Sequence, residues 1–129
     1  MLRAARVPTV LRPLAARMMS TEVPINQVAR VTRTHVGNEA NALEADGILN
    51  GLLPELKKQP GFVKAKRTVC KSEWAYEVDI VFKDIDAFKA YMGSDFRAGP
   101  ATAAFDKVKA LKPADAPEPY AGARVYDEL

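Results

Sequence analysis

GFVKAKRTVCKSEWAYEVDIVF, residues 61–82, decides how the rest of the chain folds. Its two halves alternate apolar and polar side chains with a period of two, the pattern of an antiparallel β-hairpin. With the turn centred on Lys71 and Ser72, Val69 faces Trp74, Arg67 faces Tyr76, Ala65 faces Val78 and Val63 faces Ile80 on one, mainly apolar, side. On the other side Lys66 lies opposite Glu77 and Lys64 opposite Asp79, so two opposite-charge pairs support the same register. Arg67 is the one charge on the apolar side, and its guanidinium can lie along the Tyr76 ring. The turn lacks the Asn-Gly or Gly-containing pair of a tight two-residue hairpin, and a four-residue loop from Cys70 to Glu73 serves equally well.

The flanking segments are placed by asking which face of the hairpin they cover. Residues 27–36 are rich in Val and Thr without a clean apolar face, which predicts a strand paired on both edges. Gly37 and Asn38 break it, and Asn38 can cap a helix from Glu39 to about residue 58. Leu43, Ile48, Leu49, Leu52, Leu53 and Leu56 give that helix its expected buried stripe, and Pro54 should kink it or start its last turn. After Phe82, Asp84 can cap a short helix over residues 85–92 with Ile85, Phe88 and Met92 on one side. A further helix is expected over residues 100–111, burying Ala101, Ala104, Phe105, Val108 and Leu111. Lys112 to Pro119 is an extended, proline-rich linker, and residues 120–127 supply the last strand.

The order β, α, β, β, α, β, with the second helix split, predicts an α+β fold. It is a ferredoxin-like βαββαβ antiparallel four-stranded sheet with its helices on one face. Both helical stripes are needed to cover the face carrying Trp74, Tyr76, Val78 and Ile80. The face with Lys64, Lys66, Glu77 and Asp79, and with Thr32, Thr68 and Ala75, is then left bare.

Composition narrows the function classes. At 129 residues, 48% of them apolar, the chain has the length and the core of one domain. The formal charge of +3 comes from its beginning, where Arg3, Arg6, Arg12 and Arg17 all precede the first acid, Glu22. Without those four, 15 basic residues stand against 16 acidic ones, a net charge of −1 that gives no bulk electrostatic case for nucleic acid. Residues 1–20, Arg-rich and acid-free, resemble a mitochondrial transit peptide, with the folded domain expected over 24–129 in the matrix. The single cysteine, Cys70, excludes an intrachain disulfide and a multi-cysteine zinc site. No apolar run reaches the length of a membrane span.

Pro60-Gly61-Phe62 opening the second strand, the strand ending at Phe82, and then Asp86-Ala87-Phe88 and Ala90-Tyr91 resemble the dimeric α/β-barrel superfamily. Its members include stress-responsive A/B barrel proteins and antibiotic-biosynthesis-type monooxygenases. The resemblance spans residues 26–129 and implies a homodimer formed through the uncovered sheet faces, with Lys64, Lys66, Glu77 and Asp79 on the dimer face. It also implies a pocket in the barrel or between sheet and helices. A/B barrel proteins often carry His just after the Tyr of the second helix, whereas this chain reads Tyr91-Met92-Gly93-Ser94 with no His.

Candidate pocket residues are His35, Trp74, Tyr76, Tyr91 and Arg97. His35, the sole histidine, can act as a base near neutral pH or as a hydrogen-bonded residue at a strand end. Trp74 and Tyr76 can line an aromatic pocket or pack in the core. Tyr91 and Arg97 flank the break between helices, where a pocket mouth can open. No catalytic constellation emerges, and Cys70 is not expected to carry catalysis. No cofactor and no metal are expected. The function expected is binding, with or without transformation, of a small apolar or aromatic molecule. A transformation would be monooxygenase-like without a cofactor, or cyclase-like. The alternative is a non-catalytic accessory subunit of a larger mitochondrial assembly. An RNA-binding module is disfavoured, because Glu77 and Asp79 occupy the face on which bases would stack.

Overall fold

The computed structural model describes residues 21–129. The expected transit peptide, residues 1–20, lies outside the described residues. Strand β1 spans Gln27–His35, helix α1 Glu39–Leu56, strand β2 Phe62–Cys70, and strand β3 Ala75–Phe82. Helix α2 follows over Ile85–Met92, a π-helical turn over Arg97–Ala101, helix α3 over Thr102–Lys109, and strand β4 over Tyr120–Tyr126. The antiparallel sheet has the order β2-β3-β1-β4 with every helix on one face, the ferredoxin-like α+β arrangement expected. Among the described residues no helix is long and apolar enough to cross a membrane.

Local signals set the helix starts. The Asn38 side chain accepts the Asn41 amide at 2.8 Å and caps α1, and Asp84 accepts the Ala87 amide at 2.8 Å and caps α2. Pro54 lies inside α1, which ends at Leu56. Leu43 departs from the expected stripe and is 64% exposed. It stands nine residues before Leu52, two and a half turns, and so points away from the sheet while Ala42, Ala45, Leu52 and Leu56 are buried. In α2 the buried residues are Ala87 and Tyr91, with Phe88 and Met92 packed beside them and Ile85 exposed. The core is centred on Tyr76, Ile80 and Phe82, and Phe82 stacks on Tyr91 at 4.9 Å and meets Phe88 edge-on at 6.3 Å.

The hairpin forms with its faces as expected and its register displaced by two residues. Ala65 is opposite Ile80, Lys66 opposite Asp79, Arg67 opposite Val78, Thr68 opposite Glu77, and Val69 opposite Tyr76. The loop runs from Lys71 to Trp74, closed by the Trp74 amide on the Cys70 carbonyl at 2.6 Å. Trp74 belongs to this turn, with a φ of 56°, and does not pair with Val69. Its left-handed backbone is held by the Val36 amide, which bonds the Trp74 carbonyl at 2.8 Å. The expected pairs of Lys66 with Glu77 and Lys64 with Asp79 do not form. A shift of two residues leaves each side chain on its own face, so alternation could not detect it. An irregularity between Phe62 and Lys64 leaves Val63 41% exposed and without the Ile80 partner assigned to it.

β1 pairs with β3 and β4, as its lack of an apolar face predicted. Arg30, Thr32 and Thr34 lie on the helix-covered side, in register with Ile80, Val78 and Tyr76, so Thr32 is not on the open face. That face instead carries Ala29 and Val31, which with Val81 are buried under Tyr120 and Tyr126 of β4.

Candidate functional site

A cavity of about 460 Å³ lies between α1 and the sheet, walled by Leu49, Leu52, Leu53, Leu56, Ala65, Val78 and Phe105. That volume is in the range of small-molecule pockets, and its leucine wall is joined by the polar residues Asp46, Asn50, Arg67 and Tyr76. It exists because α1 presents leucines to β2, an edge strand that offers only Ala65 where a larger side chain would fill the gap.

One corner of the cavity is polar. Arg67 grips the Asp46 carboxylate with two hydrogen bonds, Nε to Oδ1 at 2.9 Å and Nη2 to Oδ2 at 2.7 Å. The buried Tyr76 hydroxyl donates to the same Oδ1 at 2.5 Å. Burial, and the carboxylate that its proton bonds, push the Tyr76 phenol far above its ordinary range. Tyr76 therefore remains protonated with its proton committed to Asp46. What it offers to the cavity is a lone pair, which faces the Arg67 guanidinium as well and can accept from a hydroxyl or N–H donor. The Arg67 guanidinium also lies 5.9 Å from the Tyr76 ring centroid, the stacking expected of the lone charge on that face.

Four of the five expected pocket residues divide among three cavities. Tyr76 lines the large cavity. Trp74 lines a neighbouring groove of about 170 Å³ that shares Asp46 and Arg67 with it. Tyr91 and Arg97 lie together in a cavity of about 130 Å³ beside Arg30, and Phe105 borders both this space and the large cavity. His35 is not part of any of these cavities. It pairs with Ala75 on the open face and stands 3.9 Å from Glu73. Asp46 was missed by the sequence reading, although Arg67 on an apolar face needed a counter-charge and only the covering helix could supply one.

The four expected dimer-face residues do share the open face, with partners other than those expected. Lys64 bonds Glu128, Arg33 pairs with Glu77 at 3.4 Å, and Lys64 and Lys66 stand 4.9 and 5.2 Å from the Tyr126 ring centroid. Burial first, and then the neighbouring Glu77, raise the Asp79 carboxyl above its ordinary range. Its Oδ1 and the Nδ1 of His35 are buried without a hydrogen-bond partner. Cys70 is exposed, with its thiol drawn down by the Ser72 hydroxyl and the adjacent amides.

No protein-family model matches the sequence, and no curated protein matches it. Solved structures do. A mutant form of SnoaB, a cofactor-independent oxygenase from Streptomyces nogalater, superposes with a TM-score of 0.59 and 21% identity over 81% of this chain and 96% of its own. A monooxygenase from ActVA-Orf6 of Streptomyces coelicolor, in complex with nanaomycin D, gives 0.58 and 20% over 81% and 90%. A Caulobacter crescentus protein classed with the antibiotic biosynthesis monooxygenases gives 0.57 and 24% over 81% and 92%. The chain has the ferredoxin-like α+β fold of the antibiotic-biosynthesis-monooxygenase-like proteins, as the resemblance in its sequence implied.

Proposed function

We propose that the protein binds one small, largely apolar or aromatic molecule bearing a hydroxyl group, in the cavity beneath α1, and that it does so in the mitochondrial matrix. The observation that carries this is the leucine-walled 460 Å³ cavity whose polar side, lined by Asp46, Asn50, Arg67 and Tyr76, holds the Tyr76 proton on Asp46. The four arginines ahead of the first acid support import. Oxygenases among the fold neighbours make cofactor-independent oxygenation, or a cyclase-like rearrangement, the reaction class to test. Binding stands ahead of catalysis, because Tyr76 is held protonated and both Asp46 oxygens are occupied. Lys66 turns its amine toward Tyr126 on the far side of the sheet. Native mass spectrometry of the protein from its own cells tests the proposal. A retained small molecule is expected, whereas a ligand-free chain held within a large assembly would favour an accessory subunit instead.

A second copy of the chain on the open face belongs to the same proposal. Tyr120 and Tyr126 cover little more than Ala29, Val31 and Val81, and the orphaned Asp79 Oδ1 and His35 Nδ1 are polar atoms that a partner can satisfy. Light scattering should give a dimer, and Lys64→Glu with Lys66→Glu a monomer, because the reversal sets like charges beside Glu77, Asp79 and Glu128. A parent chain that stays monomeric at high concentration would remove the dimer.

A further inference from the structure

Arg30 and Arg97 reach the 130 Å³ cavity from opposite layers of the molecule, and among the described residues neither guanidinium has an ion-pair partner. Arg30 stands in the middle of β1, in register with Ile80 and Ala123, on a helix-covered face where an apolar side chain would be expected. Burial, and the Arg97 charge facing it, draw its guanidinium below the ordinary range, so the two arginines repel each other when nothing lies between them.

Arg97 is brought there by the π-helical turn that opens the α3 segment. Its amide bonds the Ser94 hydroxyl at 3.1 Å, and its carbonyl accepts the Thr102 hydroxyl at 2.6 Å. Such turns recur at functional sites because they displace a side chain that a regular helix would aim elsewhere. Asp106 lines the same space but faces Lys109 at 3.9 Å, which offsets its charge and leaves the arginines in excess. Tyr91 is buried, which raises its phenol above the ordinary range, and its hydroxyl has no hydrogen-bond partner among the described residues. At about 130 Å³ the cavity has room for a tetrahedral or planar oxyanion.

We propose that this cavity binds a dianionic oxyanion, a phosphate group or a dicarboxylate, clamped between Arg30 and Arg97 with the Tyr91 hydroxyl as a third donor. The site is separate from the polar corner at Asp46 and does not depend on what that corner binds. Phe105 borders both cavities, so the oxyanion is either a free anion or the charged substituent of a ligand lying beneath α1.

Calorimetric titration of the full chain with inorganic phosphate and with malonate, at constant ionic strength and with chloride as control, tests it. Saturable binding is expected for at least one of the dianions, at least tenfold weaker in both Arg97→Ala and Arg30→Met. Both variants should also melt at a higher temperature than the parent in anion-free buffer, because each removes the repulsion, whereas loss of a structural arginine would lower it. If 1-naphthyl phosphate binds more tightly than phosphate in the parent but not in Leu53→Trp, the oxyanion is a ligand substituent. Equal affinities make it a free anion. No saturable binding of either dianion, binding retained in both arginine variants, or lower melting of both would overturn the site.

Discussion

Asp46→Ala should lower stability by about 2 kcal/mol and invert the ligand preference of the cavity. The stability term comes chiefly from the buried Tyr76 hydroxyl losing its acceptor, since the Asp46–Arg67 pair is partly exposed and screened. The inversion follows from the proton. With Asp46 present, Tyr76 can only accept from a ligand; without it, the phenol is free to donate, and a ketone or ether gains at the expense of a hydroxyl. The same corner sets a pH dependence. The Tyr76 pKa is raised in the folded chain, so its contribution is fully present below the unfolded value of about 10 and is lost as pH rises above it. Tyr76→Phe should therefore flatten the fall in stability between about pH 10 and 12. Chemical denaturation across that range, for parent and variants, checks the stability loss and its pH dependence.

Gly61→Ala should cost about 3 kcal/mol, a drop of roughly 10–20 °C in melting temperature. Gly61 has a φ of 76°, a left-handed conformation that a side chain adopts at a cost of about 1–2 kcal/mol. A Cβ there would also lie 2.3 Å from the Ala87 Cβ and 3.3 Å from the Lys83 Cγ, so α2 would have to move off the sheet. The Gly61 carbonyl also accepts the Lys83 amide at 2.8 Å, which ties the start of β2 to the end of β3. Pro60-Gly61-Phe62 thus has a physical reason beyond its resemblance to other chains. Thermal unfolding of Gly61→Ala measures it, and a change of less than 3 °C would show that α2 yields without strain.

The order of elements was legible because the sequence changes period from two to 3.6 at Asn38 and Asp84, both of which cap helices. The hairpin register was not, since a two-residue displacement preserves every face and is set by a turn whose left-handed residue is Trp74 rather than glycine. Tyr76 could be named from its face, but its partner could not. An acid within a helix is ordinarily read as solvated, and Asp46 is distinguished only by the arginine that the sheet brings to it. Arg30 was hidden in a strand with polar residues on both faces, where Arg30, Thr32 and Thr34 share the helix-covered side with Val28 while Ala29 and Val31 lie on the open side. Tyr91 and Arg97 were found together because both flank the helix break, while His35 was separated from the pocket by the alternation of β1.

Fluorescence titration with 1-naphthol and its methyl ether tests the cavity beneath α1 most directly. Both have the same rings, and only the naphthol can donate to Tyr76. The parent chain should bind naphthol saturably and several-fold more tightly than the ether, and Leu53→Trp, which fills the cavity, should bind neither. Equal affinity for naphthol and ether, or undiminished binding by a folded Leu53→Trp, would contradict the account.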